Sequence, residues 1–134
     1  MLADKEKAYS LDPMSLEIAS QLAFDYGSFW RPRDADRIIA RMFDLHPGHP
    51  RAYRALAANL GNHGRNAEAA LLLEEAMEAH PDIEYFPPWH AWMLFVIGLY
   101  DEVEQQGQDF VTVSALLAQD RLEEARDLLE QGLR

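Results

Sequence analysis

Five histidines and 23 carboxylates give this chain the raw material for metal binding or acid–base catalysis, so their spacing decides what chemistry is available. The tightest histidine grouping is His46-Pro47-Gly48-His49. It falls in a turn, no cysteine supports it, and carboxylate ligands would have to come from elsewhere; the two are read as exposed loop histidines and no metal is expected. The sequence holds no Gly-rich phosphate cradle, no nucleophile elbow and no His-Glu-x-x-His helix. No catalytic residue and no cofactor are therefore expected, and the chain is not read as an enzyme.

Composition narrows the class further. At 134 residues and 49% hydrophobic content the chain is read as one globular domain able to bury a core. It has no cysteine, which fits an intracellular or otherwise thiol-independent protein, and a cytoplasmic location is expected. The longest apolar run, around Trp92 to Ile97, is far short of the roughly 20 residues that span a bilayer, and Asp4, Glu6 and two lysines interrupt any signal-peptide pattern. Net charge is −11, of which residues 84–134 carry −7. Such a surface repels phosphate backbones, so direct nucleic-acid binding is disfavoured, and a basic partner or simple solubility fits better; with no spanning run, no membrane is expected as a partner either.

The elements follow a ruler. Pro13, Pro47 and Pro81 are spaced by 34 residues, and a period of this size signals stacked helical hairpins. A half unit spans 1–15, with Leu2, Ala8, Tyr9 and Leu11 as its apolar residues; it is read as the cut edge of a longer chain, the alternative being a natural start on half a unit. In the unit 16–49, Ser15 is the expected N-cap of a helix carrying Leu16, Ala19, Leu22, Ala23 and Tyr26. A loop from Phe29 to Arg33 then leads to a helix over about 34–45. The unit 50–83 has helices over about 51–60 and 67–79, joined by Gly61-Asn62-His63-Gly64, with Asn66 as the second cap. Ala57, Ala69 and Ala76 let these helices approach closely.

The phase then breaks. Gly98 falls 34 residues after Gly64, but the next matching turn, Asp120, comes only 22 residues later. The irregular unit 84–118 is expected to hold two short helices after Gly98, about 101–107 and 109–118, or else one bent helix. A C-terminal helix over 120–134 is expected to open on an Asp120/Glu123 capping box and to carry the stripe Leu122, Ala125, Leu128, Leu129 and Leu133.

Numbered from Pro50, positions 4, 7, 8, 11, 20, 24, 27 and 32 hold Tyr53, Leu56, Ala57, Leu60, Ala69, Leu73, Ala76 and Pro81. This pattern resembles the tetratricopeptide repeat. The unit from Leu16 matches it at Leu22, Ala23, Tyr26, Ala35, Ile39 and Pro47, and departs at Ala19 and Met42. The resemblance implies an all-α fold, a right-handed α-solenoid of antiparallel helix pairs, whose first helices line a concave groove that binds a protein or peptide.

Carried over residue by residue, the resemblance puts Gln21 and Phe24, then Arg51, Arg54 and Asn62, then Tyr85, Trp89, Trp92 and Phe95 on the groove. The family's two-carboxylate clamp for chaperone tails is absent, since Ser20, Phe24, Ala55, Tyr85 and Trp89 stand in its places. Trp89, Trp92 and Phe95 are the expected apolar anchor, and Arg51 and Arg54 the polar end. The helix Trp89 to Ile97 is apolar nearly all round and needs a cover: the C-terminal segment folding back, a partner in the groove, or a second copy of the chain in a homodimer. The alternative function is a regulatory or sensor segment of a larger bacterial signalling enzyme or transcription regulator, or a self-association scaffold.

Overall fold

The computed structural model describes residues 1–106 and 109–132. Among these residues every regular element is an α-helix: α1 (Leu2–Leu11), α2 (Leu16–Ser28), α3 (Pro32–Leu45), α4 (Pro50–Asn62), α5 (Asn66–Ala79), α6 (Phe86–Val96), α7 (Tyr100–Gln106), α8 (Asp109–Ala118) and α9 (Leu122–Gly132). No helix among them is long and apolar enough to cross a membrane. The chain divides into two compact units, Met1–Leu72 and Leu73–Arg134.

In the amino-terminal unit α2 packs against α1, α3 and α4, and α3 packs against α4. The three-and-four spacing of the apolar residues explains the faces that meet: Leu22, Ala23 and Tyr26 of α2 join Ala35, Ile39 and Met42 of α3 and Ala52 of α4 in one cluster. Ser15 caps α2 as expected, its hydroxyl accepting from the Ile18 amide at 3.3 Å. Polar contacts tie α1 to α2, with the Tyr26 hydroxyl donating to Glu6 at 2.8 Å and Lys5 pairing with Asp25 at 2.8 Å. Burial and the Glu6 carboxylate both push the Tyr26 hydroxyl pKa up.

One corner recurs in the backbone. Trp30, Gly64, Gly98 and Asp120 all have positive φ, at 58°, 73°, 84° and 59°. The next residue in each case donates its amide to a carbonyl five residues back: Arg31 to Tyr26 at 2.8 Å, and Arg65 to Leu60, Leu99 to Leu94 and Arg121 to Leu116, each at 2.9 Å. This is the helix-ending motif in which a left-handed residue lets the chain turn and satisfy the last carbonyls. The proline-marked corners recur as well, with the amides of Asp12, His46 and His80 bonded to the carbonyls of Ala8, Met42 and Ala76.

In the carboxy-terminal unit α6 packs against α7 and α8, α7 against α8, and α8 against α9. Phe86, Leu94, Val103, Ala115 and Ala125 are among its buried residues. The irregular stretch forms the two short helices α7 and α8, with residue 107 of the expected boundary outside the described residues.

Several expectations need correction. Pro32 opens α3, so the loop before it is shorter than foreseen, because proline suits the first helical position. Gly61 and Asn62 belong to α4, and only His63 to Arg65 turn the chain. Asp120 is no N-cap: its left-handed φ makes it the end of the preceding corner, and Glu123 pairs with Arg126 instead. The α9 stripe is covered only in part, since Ala125 is buried while Leu122 and Leu129 are exposed; Leu133 lies outside the described residues. Helix α6 buries Phe86, His90, Ala91, Met93 and Leu94, but Trp92 and Val96 stay exposed, so its helical neighbours cover one side and not the whole circumference.

Candidate functional site

In the amino-terminal unit a groove of about 300 Å³ lies between α2 and α4, with Lys5 of α1 also lining it. Glu17, Ser20, Gln21, Ala23 and Phe24 line it from α2; Arg51, Arg54, Ala55, Ala58, Asn59 and Asn62 line it from α4. A register of three and four puts Glu17, Ser20, Gln21 and Phe24 on one stripe of α2 and Arg51, Arg54, Ala55, Ala58 and Asn62 on one stripe of α4, with buried Ala23 and Asn59 at their inner edges. Five residues singled out in the sequence, Gln21, Phe24, Arg51, Arg54 and Asn62, are brought together here.

Charges in the groove are already engaged. Arg51 forms an ion pair with Glu17, whose other carboxylate oxygen accepts from Gln21 Nε2 at 2.6 Å. Both members of the pair are about half exposed, so the bridge is held weakly against solvent. The rim is apolar where Phe24, 60% exposed, projects beside Ala55 and Ala58.

Asn59, at the floor, escaped the sequence reading. It is 6% exposed, and its Nδ2 donates to Asp36 Oδ1 at 2.7 Å, which binds α4 to α3. Its Oδ1 is buried and has no donor among the described residues. A Cβ at Gly27 would stand 3.2 Å from Asn62 Nδ2 and 3.6 Å from Asn59 Oδ1, so the small residue on α2 leaves just enough room for this amide cluster. An asparagine beside Leu60 on a helix otherwise inward-facing was the available signal. Lys5 left none, because its partner Asp25 lies on another helix.

Tyr85, Trp89, Trp92 and Phe95 lie in the carboxy-terminal unit. Tyr85 meets Phe86 edge-on at 4.8 Å, and Trp92, Phe95 and Tyr100 form a chain of rings at 5.3 and 5.7 Å. Trp92 is 41% exposed, whereas Trp89 and Phe95 are half-buried. Buried beneath them, His90 has both ring nitrogens engaged. Gln106 Nε2 donates to Nδ1 at 2.5 Å, so Nε2 carries the proton and gives it to Glu74 at 3.2 Å. That arrangement satisfies a core histidine and leaves neither nitrogen for a substrate.

The turn histidines are half-buried, which corrects the exposed reading. His49 Nδ1 accepts the Arg51 amide at 3.1 Å and so caps α4, while its ring packs edge-on against His46 at 6.2 Å. No group of three or more histidine, aspartate or glutamate side chains among the described residues is arranged to hold a metal. No protein-family model matches the chain, and no curated protein matches it.

Proposed function

We propose that the chain is a non-catalytic interaction module of tetratricopeptide type, a solenoid of helix pairs that binds a segment of a partner protein or peptide. The segment lies in the groove of Gln21, Phe24, Arg51, Arg54 and Asn62. The observation that carries this reading is that groove itself: an open cleft with an exposed aromatic rim, engaged but solvent-accessible charges and a buried acceptor at its floor. Concave, mixed surfaces of this kind suit an extended chain better than a small reacting substrate. The recurrence of the same corner at Trp30, Gly64 and Gly98, every 34 residues, supports the repeat reading. In the carboxy-terminal unit the Trp92, Phe95 and Tyr100 rings offer a second apolar contact surface.

Panning a random peptide display library on the full chain tests this. Segments should be enriched that bind the parent chain and not an Ala58→Trp variant, whose indole fills the groove; circular dichroism checks that the variant keeps its helices. Binders indifferent to Ala58→Trp, or no enrichment at all, would sink the groove assignment.

A further inference from the structure

We propose that the outward stripe of α6 docks a cationic, amphipathic segment of a partner protein, with an apolar middle and lysine or arginine at both ends. Tyr85, Trp89, Trp92 and Val96 follow one another at intervals of four, three and four, so they share one line along the helix. Tyr85, Trp92 and Val96 are exposed and Trp89 is half-buried, while His90 and Leu94 are buried on the other side. Eleven helical residues make this line roughly 16 Å long. It lies wholly within the carboxy-terminal unit, so the proposal rests on the interaction-module reading but not on the groove between α2 and α4.

Charge chooses the occupant. From Asn66 to Asp120 the chain has no lysine or arginine, and residues 73–134 hold 14 aspartates and glutamates against three arginines, so the whole −11 belongs to this unit. Two of those arginines are engaged on α9, Arg121 with Glu104 and Glu124 and Arg126 with Glu123. The α6 line has carboxylates at both ends. Exposed Glu84 precedes Tyr85, and exposed Asp101 and Glu102 follow Tyr100, whose ring meets Phe95 at 5.7 Å beside Trp92. Lysine and arginine suit both features, since they pair with carboxylates and sit over indole faces. The same negative field repels a second copy of this surface and an anionic membrane.

Fluorescein-labelled peptides with a shared leucine–alanine core, flanked at both ends by lysine, glutamine or glutamate pairs, provide the probes, titrated by anisotropy onto the full chain. The lysine peptide should bind about tenfold more tightly than the glutamine one, an advantage that shrinks as salt rises. Trp92→Ala should weaken the lysine peptide about tenfold. The double change Asp101→Asn, Glu102→Gln should weaken it about threefold and leave the glutamine peptide unchanged, whereas a misfolded chain would lose both. Ala58→Trp should leave the lysine peptide's affinity as it is. If the glutamine or glutamate peptide binds as tightly as the lysine one, or none binds, the cationic assignment falls. If Trp92→Ala has no effect, or Ala58→Trp abolishes binding, the α6 line is not the site. A parent chain that sediments as a dimer until Trp92 is replaced gives the line to a second copy and overturns the proposal. Display-selected segments blocked by Ala58→Trp report on the groove alone, so the two readings fail separately.

Discussion

Trp30 stands where two later corners have glycine. Its φ of 58° is costly for a side chain with a Cβ, and its indole is 82% exposed, so little burial offsets that cost. Trp30→Gly should therefore raise stability by roughly 1 kcal/mol, the left-handed penalty less the entropy glycine adds to the unfolded chain. Gly64→Ala should lower it by about 1–2 kcal/mol. An added Cβ at Gly64 meets nothing within 4 Å, so that loss is all backbone. Urea midpoints measure both, and a less stable Trp30→Gly chain would mean that the indole contributes packing its exposure hides. At this scale the sequence was legible where residue type dictates geometry, as at Gly64, Gly98 and Ser15. It was opaque where tertiary context overrides type. Nothing in the composition of Trp30 or Asp120 announces a left-handed backbone, and Asn59 was hidden by its apolar neighbours.

Three helices open on the same clamp. Arg31 Nε bonds Asp34 at 2.7 Å, Arg65 Nε bonds Glu68 at 2.8 Å and Arg121 Nε bonds Glu124 at 2.9 Å, each three residues on. Every arginine follows a left-handed corner, so the corner delivers it beside the first turn of α3, α5 or α9, where the acidic group also suits the helix dipole. The guanidinium holds the Glu68 and Glu124 carboxyls below their ordinary 4.5. A folded value below the unfolded one means the contribution is complete at neutral pH and is lost as pH falls through the lowered value. The stability gap between the parent and Glu68→Gln should thus be constant above about pH 5 and close below it, as urea titrations at successive pH values would show. A gap that widens in acid would contradict the clamp. Helix identities were readable from the three-and-four apolar spacing, and their ends less so. Pro32 and Asn62 shifted boundaries because a helix continues until its backbone groups find other partners. The Arg-x-x-acid spacing was in plain view but has no periodic apolar signature, so a hydrophobic ruler passes over it.

For the molecule as a whole the 34-residue period was the most legible property, and the backbone repeats it at two kinds of corner. The shortened interval from Gly98 to Asp120 was legible as well, since the corner returns intact after 22 residues and only the helices between are short. The groove was legible in its outline and not in its charge balance, because Arg51 meets Glu17 only once α2 and α4 pack together. A period fixes which residues share a face, but pairing across helices depends on side-chain reach. The excess of carboxylates in residues 84–134 makes the −11 charge lopsided along the chain.

The exposed indole at the first corner also decides what a spectrometer will see. Trp30 is the one tryptophan of Met1–Leu72, and at 82% exposure it already emits like a dye in water. Half-buried Trp89 lies in the other unit. Unfolding of the first unit should pass almost unseen in tryptophan emission while its helices disappear from the far-ultraviolet signal. The two denaturation curves should then separate wherever the units melt apart, and a Trp89→Phe chain should lose most of the emission change. If it keeps that change, Trp30 or Trp92 reports the unfolding instead.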